Sequence, residues 1–431
     1  EHEAVRIHLV NDGSLNAFVA GGQRIFIFTG LLMAAESPDQ VIGVLAHETG
    51  HITGGHLARF RDGLQGASTI SIISLLLGAA AIAAGAGDAG AAILSSGGQF
   101  AQRNFLSYSR TQESAADQAG LQYLTEAGIS AEGLLNFFEY LGDQEALLTA
   151  NKDPYVRSHP LTQQRIARLR EQAQASPAWG KPPDPAHVEM LKRTQAKLVG
   201  FLDAPRQVLR KYPKEDTSAY ARYARSIMHH REGFTDEAID GINSLLLENP
   251  QDPFYWELKG QILFESGRTD EAITPYQHAV QWAPNEPLIR VSLAQALLSQ
   301  EDPKLAEQAI DHLKYANHRQ PDNGFAWHQL ALAYNLTGDQ ARAALASAER
   351  YAIAGSAREA VTQARYAARN LEPETPDWYR ARDLYFVAKN AIERAFRERG
   401  RKPPNLPEDP SEDPTPDDTE QGNSPDDAQN S

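Results

Sequence analysis

His47-Glu48-Thr49-Gly50-His51 decides the fold of the first half of this chain. On a helix, HExxH sets two imidazoles one turn apart on one face, where both reach a single metal ion with a carboxylate beside them. Further on, Glu113-Ser114-Ala115-Ala116-Asp117 offers a third ligand and, one helical turn later, an outer partner. Three protein ligands and an open position make a catalytic zinc site, whereas a structural site is closed by four. The expected ligands of one Zn²⁺ per chain are therefore His47, His51 and Glu113. Water in the open position has its pKa lowered toward about 7. Glu48 is expected to take that water's proton as it attacks a peptide bond and to pass it to the leaving amine. Asp117 is expected to accept the N–H of a ligating histidine and fix its tautomer.

Two more histidines lie near. The longer pattern HExxHxxGxxH has its glycine at Gly54 but needs a histidine at position 57, which is Leu57. His56 is therefore read as a structural or surface residue. His159, in Ser158-His159-Pro160, follows the third-ligand helix. Two roles stay open for it: donating to the oxyanion of the tetrahedral intermediate, or occupying the open coordination position and silencing the site.

Outward from the motif, Ser37-Pro38-Asp39-Gln40 starts its helix, with Ser37 as N-cap, Pro38 at N1 and Gln40 completing a capping box. Before it, residues 5–29 alternate as β, with strands around Val5–Leu9, Asn16–Ala20 and Ile25–Thr29 expected to form a small meander. After it, residues 63–87 contain no Asp, Glu, Lys or Arg. That run is borderline for the about 20 residues of a transmembrane helix. His51 and Glu113 flank it and must meet at one metal, so residues 63–101 are read as an apolar hairpin near the active site with a peripheral membrane contact. Helices are expected over 109–127 and 130–147.

The second half repeats. Gly233, Ala238 and Pro250 recur 34 residues later as Gly267, Ala272 and Pro284. Trp256, Gly260, Gly267, Ala272, Tyr276, Ala279 and Pro284 have tetratricopeptide spacing. Trp256 to Trp327 is two periods plus three residues, and the extra three are placed in Ser299–Pro303. Stacked helical hairpins form a solenoid whose surfaces bind peptides or proteins. Tyr220, Tyr223, Trp256, Trp327 and Tyr334 are the aromatic candidates for such a surface, although packing accounts for most aromatics at repeat positions.

The 431 residues exceed one compact core. The expected division is a peptidase domain over 1–178, a linker and connecting helix over 179–198, a repeat solenoid over 199–398, and an acidic disordered tail over 399–431. Residues 401–431 hold nine acidic and two basic side chains, so they contribute −7 to the net charge of −15. That balance excludes a nucleic-acid partner. The absence of cysteine excludes disulfides, thiolate ligands and a thiol nucleophile. Glu1–Ala4 has neither a basic nor an apolar leader segment, as expected of a mature or trimmed form.

Asn16-Ala17-Phe18, Gly30-Leu31-Leu32, the HETGH helix, Glu113-xxx-Asp117 and Ser158-His159-Pro160 together resemble the zinc peptidase family of HtpX and Oma-type proteases. The repeats narrow the resemblance to its periplasmic BepA-like branch. It implies a periplasmic zinc metalloendopeptidase, with chaperone-like character, in the quality control and assembly of outer-membrane proteins. Misfolded or stalled outer-membrane proteins and their assembly machinery would be its partners. It also implies His47, His51 and Glu113 as ligands, Glu48 as base and His159 as a regulatory loop histidine. The fold expected is mainly α with a small β meander, a zincin-type domain followed by an α-solenoid. The alternative function is a tetratricopeptide docking or chaperone module with a gated or vestigial peptidase site.

Overall fold

A computed structural model describes residues 5–56, 98–147, 159, 163–406 and 410. The chain divides into two compact units, Glu1–Ala204 and Pro205–Ser431. The expected apolar hairpin over 63–101 lies outside the described residues, apart from the helical backbone from Gly98 onward, and so does most of the expected tail. Among the described residues no helix is long and apolar enough to cross a membrane.

In the first unit, β1 (Arg6–Val10), β2 (Ala17–Ala20) and β3 (Arg24–Phe28) form a sheet in the order β1-β3-β2. β1 runs parallel to β3, with Ile7 opposite Ile25, and β2 runs antiparallel to it, with Phe18 opposite Phe26. The sheet is thus small and near the expected positions, but its connectivity is not that of a meander. The physical reason lies in the link between β1 and β2. Asp12 O accepts from Gly30 N (2.8 Å) and from Thr29 Oγ1 (2.9 Å), and Phe28 N donates to Asn16 O (3.0 Å). These bonds pin the link across the end of β3 and deliver β2 to its far side. Alternation then sorts the side chains. Ala17, Val19, Ile25 and Ile27 are buried, while His8, Phe26 and Phe18 stack on the other face with centroids 4.9 and 5.0 Å apart.

Six helices of this unit are described: α1 (Thr29–Ala34), α2 (Pro38–Thr53), α3 (Gly98–Glu126), α4 (Glu132–Leu147), α5 (Gln163–Gln174) and α6 (Pro185–Leu202). α2 starts as its sequence dictates: Ser37 Oγ accepts from Asp39 N (3.2 Å) and Pro38 opens the first turn. Gln40 reaches back one residue further than a capping box requires, its Oε1 accepting from Glu36 N (2.8 Å). α2 packs on α3 and α4 and touches the sheet, so Val44 and Ala46 share one core with Ile25, Leu124, Leu134, Phe137, Phe138 and Leu141. Each large aliphatic or aromatic side chain buried there contributes about 1.5–3 kcal/mol. α6 belongs to the same unit, and Gln195 Nε2 donates to Leu32 O and Ala35 O at the end of α1 (2.9 and 2.8 Å).

The second unit starts with α7 (Pro205–Lys211) and continues as antiparallel pairs: α8 (Ala219–Arg231) with α9 (Thr235–Glu248), α10 (Pro253–Glu265) with α11 (Thr269–Trp282), and α12 (Pro287–Leu298) with α13 (Pro303–Arg319). Then follow α14 (Gly324–Leu336) with α15 (Gln340–Ile353), and α16 (Ala357–Asn370) with α17 (Pro376–Glu398). These are tetratricopeptide-like helical repeats. One repeated bond anchors the first helix of three of these pairs to the turn that leads into it. Trp256 Nε1 donates to Pro250 O (2.8 Å) and Trp327 Nε1 to Pro321 O (2.9 Å). Arg290, at the equivalent position, uses Nε on Pro284 O (2.7 Å). The extra three residues do not lie in Ser299–Pro303. α13 starts as far into its repeat as α11 does, and it is 17 residues long where α11 has 14. The addition lengthens a helix, which preserves the turn before it.

Candidate metal centre

α2 holds His47, Glu48 and His51, and α3 holds Glu113 and Asp117. What brings the two helices together is the lack of a side chain at two points. A Cβ on Gly50 would stand 2.7 Å from Ala116 O, and one on Gly120 would stand 3.1 Å from His47 N. Either would hold the helices apart, so the glycine inside the HETGH motif lets Glu113 come within reach of the histidines.

The ligand atoms of His47, His51, Glu113 and His159 lie within 4.8 Å of one another. His47 Nε2 stands 3.1 Å from His51 Nε2, 3.3 Å from His159 Nδ1 and 3.4 Å from Glu113 Oε2. Glu113 Oε1 stands 3.3 Å from His51 Nε2 and 3.1 Å from His159 Nδ1. Ligand atoms placed about 2.0–2.1 Å from one tetrahedral ion are separated by about 3.3–3.4 Å, so the cluster fits such an ion. His47, Glu48, Glu113, Asp117 and His159 are all buried. Among the described residues, the carboxylates of Glu48, Glu113 and Asp117 are buried there beside the Arg165 guanidinium, a donor set that suits a divalent cation.

The groups around the cluster are strongly polarised. Burial opposes a charge on His47, but hydrogen bonds to Asp117 and Glu113 outweigh it and raise the pKa to about 9. His51 goes the other way: burial lowers its pKa, only partly offset by Glu113. Burial would raise Glu113, yet the charge and hydrogen bonds of His159, His47 and His51 hold it well below the usual carboxylate range. Burial also opposes ionisation of Asp117, and Arg165 and His47 overcome it. Neither oxygen of Glu48 accepts a hydrogen bond among the described residues, and His159 Nε2 stands 3.3 Å from Oε1.

Asp117 Oδ1 stands 2.9 Å from His47 Nδ1. His159 lies within the cluster itself, its Nδ1 among the ligand atoms and its Nε2 toward Glu48. Of the two readings open for His56, structural or surface, the structure gives the first. It is buried rather than a surface residue, and its Nδ1 is 3.0 Å from His51 Nδ1. Arg165 was missed. Its Nη1 is 2.8 Å from Glu113 Oε2, its Nε and Nη2 donate to Asp117 (2.5 and 2.7 Å), and its guanidinium carbon stands 5.0 Å from the centre of the Phe138 ring. The signal was the pair of inward carboxylates on α3, which needed a buried cation from a later helix.

A metal-dependent endopeptidase followed by tetratricopeptide repeats is the class that this fold and site define. Residues 1–173 match peptidase family M48, and residues 217–349 match the tetratricopeptide domain of cytochrome c-type biogenesis protein H, so the first part of the chain is an M48 peptidase domain. The chain is similar to the beta-barrel assembly-enhancing protease of Escherichia coli (strain K12), at 26% identity over 361 residues, covering 82% of this chain and 72% of the relative. The putative beta-barrel assembly-enhancing protease of Vibrio cholerae is 26% identical over 358 residues, covering 82% and 73%. The mitochondrial metalloendopeptidase OMA1 of Schizosaccharomyces pombe is 28% identical over 170 residues, covering 38% and 45%.

Proposed function

We propose that the chain is a zinc endopeptidase of the periplasm that acts on outer-membrane proteins during their assembly and quality control. The observation that carries the peptidase reading is the cluster of buried His47 and Glu113 with half-buried His51, and the buried Glu48 carboxylate beside it. The assembly-enhancing proteases to which the chain is similar support the substrate class. His47, His51 and Glu113 would hold the zinc, which when bound supplies a Lewis acid for the scissile carbonyl and lowers the pKa of water. Glu48, whose oxygens accept no hydrogen bond among the described residues, takes the proton of the attacking water and gives it to the leaving amine. Asp117 accepts from His47 Nδ1 and keeps Nε2 turned to the cluster. Among the described residues β2 pairs with a strand on one side only, so an extended substrate would add to its other edge around Asn16–Val19.

His159 is the gate. One imidazole spans the ligand cluster and Glu48, so it must withdraw before water and substrate can take its place. Domain boundaries follow the same reading: a peptidase domain over 1–178, a connecting segment over 179–198, a repeat domain over 199–398 and a tail over 399–431.

A second reading, in which the repeats hold clients and the peptidase acts seldom, has its own support. Phe254, Leu288 and Phe325 occupy the same position on α10, α12 and α14, and all three are exposed. The consensus aromatics behave otherwise: Tyr223 is buried, and Trp256 and Trp327 each bond to the turn that leads into their own helix.

The test is zinc content together with casein cleavage for the native chain, Glu48→Gln and His159→Ala. One zinc per chain, with cleavage lost in Glu48→Gln and metal retained, is expected. Zinc without cleavage in all three would move the function to the repeats. A folded chain without zinc would end the peptidase reading.

A further inference from the structure

The end of α2 is built around His56. The helix closes with Gly54 N donating to Gly50 O (2.9 Å) and Gly55 N to Ile52 O (3.0 Å). Gly55 has φ +62, a left-handed conformation that turns the chain back on itself. Gly54 is ordinary helical backbone, with φ −69 and ψ −10, so no torsion demands a glycine there. Space does. A Cβ on Gly54 would stand 2.4 Å from His56 Nε2 and 2.8 Å from its Cε1. The imidazole of His56 therefore lies over the helix end in the place of a missing side chain. It is buried, and its Nδ1 reaches His51 Nδ1 at 3.0 Å.

We infer that His56 is a positioning residue that accepts a hydrogen bond from His51 Nδ1–H and thereby keeps the Nε2 lone pair of His51 facing the ligand cluster. The inference rests on the zinc reading of that cluster. Two neutral imidazoles that meet through their Nδ1 atoms share one proton between them. If His56 carried it, His51 Nδ1 would be the acceptor and His51 would hold its own proton on Nε2. That atom is the one that stands 3.3 Å from Glu113 Oε1 and 3.1 Å from His47 Nε2. His51 would then present an N–H where a ligand needs a lone pair. With the proton on His51 Nδ1, both requirements are met. His56 thus does for His51 what Asp117 does for His47, from the turn after the helix instead of from the neighbouring helix.

Two readouts test this: zinc affinity by chelator competition, and the tautomer of His51 from long-range ¹H–¹⁵N imidazole spectra. His56→Ala should lose about 10–100-fold in zinc affinity and show His51 as a mixture of tautomers. His56→Asn should recover most of the affinity, because its amide oxygen can accept from the same N–H. Gly54→Ala should act like His56→Ala by displacing the ring. The double variant Gly54→Ala/His56→Ala should be no worse than His56→Ala alone, because both changes remove one interaction. Wild-type affinity in His56→Ala with His51 still protonated on Nδ1 would overturn the inference. So would losses at 54 and 56 that multiply. If the native chain bound no zinc, the metal reading would fall, while the His51 tautomer in native chain and His56→Ala would still decide the role of His56.

Discussion

His159 Nε2 stands 3.3 Å from Glu48 Oε1, while the opposite nitrogen of the same ring stands among the metal-ligand atoms. One side chain therefore covers both the base and the position that water must enter. A site whose competent form is a small fraction of the population loses apparent activity by that fraction. His159→Ala should raise kcat/KM on casein, by roughly tenfold if the shut form is favoured by about 1.4 kcal/mol, with zinc retained. A fall in activity would give His159 the oxyanion role instead.

Metal binding should release a proton. With Asp117 and Glu113 beside it, His47 has a pKa raised to about 9, so the metal-free chain carries His47 as the imidazolium at neutral pH. A ligand histidine must be neutral. Zinc thus competes with a proton held up to about pH 9, and its apparent affinity should fall as pH drops below that value. Calorimetry in buffers of different ionisation enthalpy at pH 7.5 should show about one proton released per zinc from this group. A release of zero would mean that His47 is neutral before the metal arrives.

Arg165 is the cation that lets Glu113 and Asp117 be buried together. Removing one partner from a buried charged network costs about 3–5 kcal/mol, because the other charges stay behind. Arg165→Gln should lose that much in denaturant unfolding of metal-free protein. Arg165→Lys should recover only part, since an ammonium cannot make the two-pronged contact with Asp117. A loss under about 0.5 kcal/mol, the range of ordinary surface changes, would show that the carboxylates relax without it.

Much of this arrangement was legible because it is local. The N-cap at Ser37, the spacing of His47 and His51, the pair Glu113 and Asp117, and the 34-residue repeat are each written within one or two turns or one period. What escaped is non-local. The six residues between β1 and β2 resemble a hairpin link, and nothing in them announces that Asp12 will bond to Thr29 and Gly30 and carry the chain across β3. Arg165 sits in a helix with Arg168 and Arg170, and only the approach of α3 singles it out. His56 was set aside because helical periodicity puts it off the ligand face. The Gly54-Gly55 turn ends that periodicity and brings it back.

Glu301 should be replaceable with profit to stability. Gly233, Gly267 and Gly338 each stand fourteen residues after the start of their repeat's first helix, with φ of 82, 83 and 83°. Glu301 occupies the same position after Pro287, with φ 54°. A residue with a Cβ pays about 1–2 kcal/mol in the left-handed region, whereas glycine loses about 0.5–1 kcal/mol of extra chain entropy on folding. The balance favours glycine by about 0.5–1 kcal/mol. In a repeat unit of this size Glu301→Gly should raise the melting temperature by about 2 °C, read by calorimetry of the full chain. The lengthened α13 begins two residues later, so the conformation at 301 also sets its entry angle. A lowered melting temperature would show that the glutamate side chain holds that turn by contacts that outweigh its backbone strain.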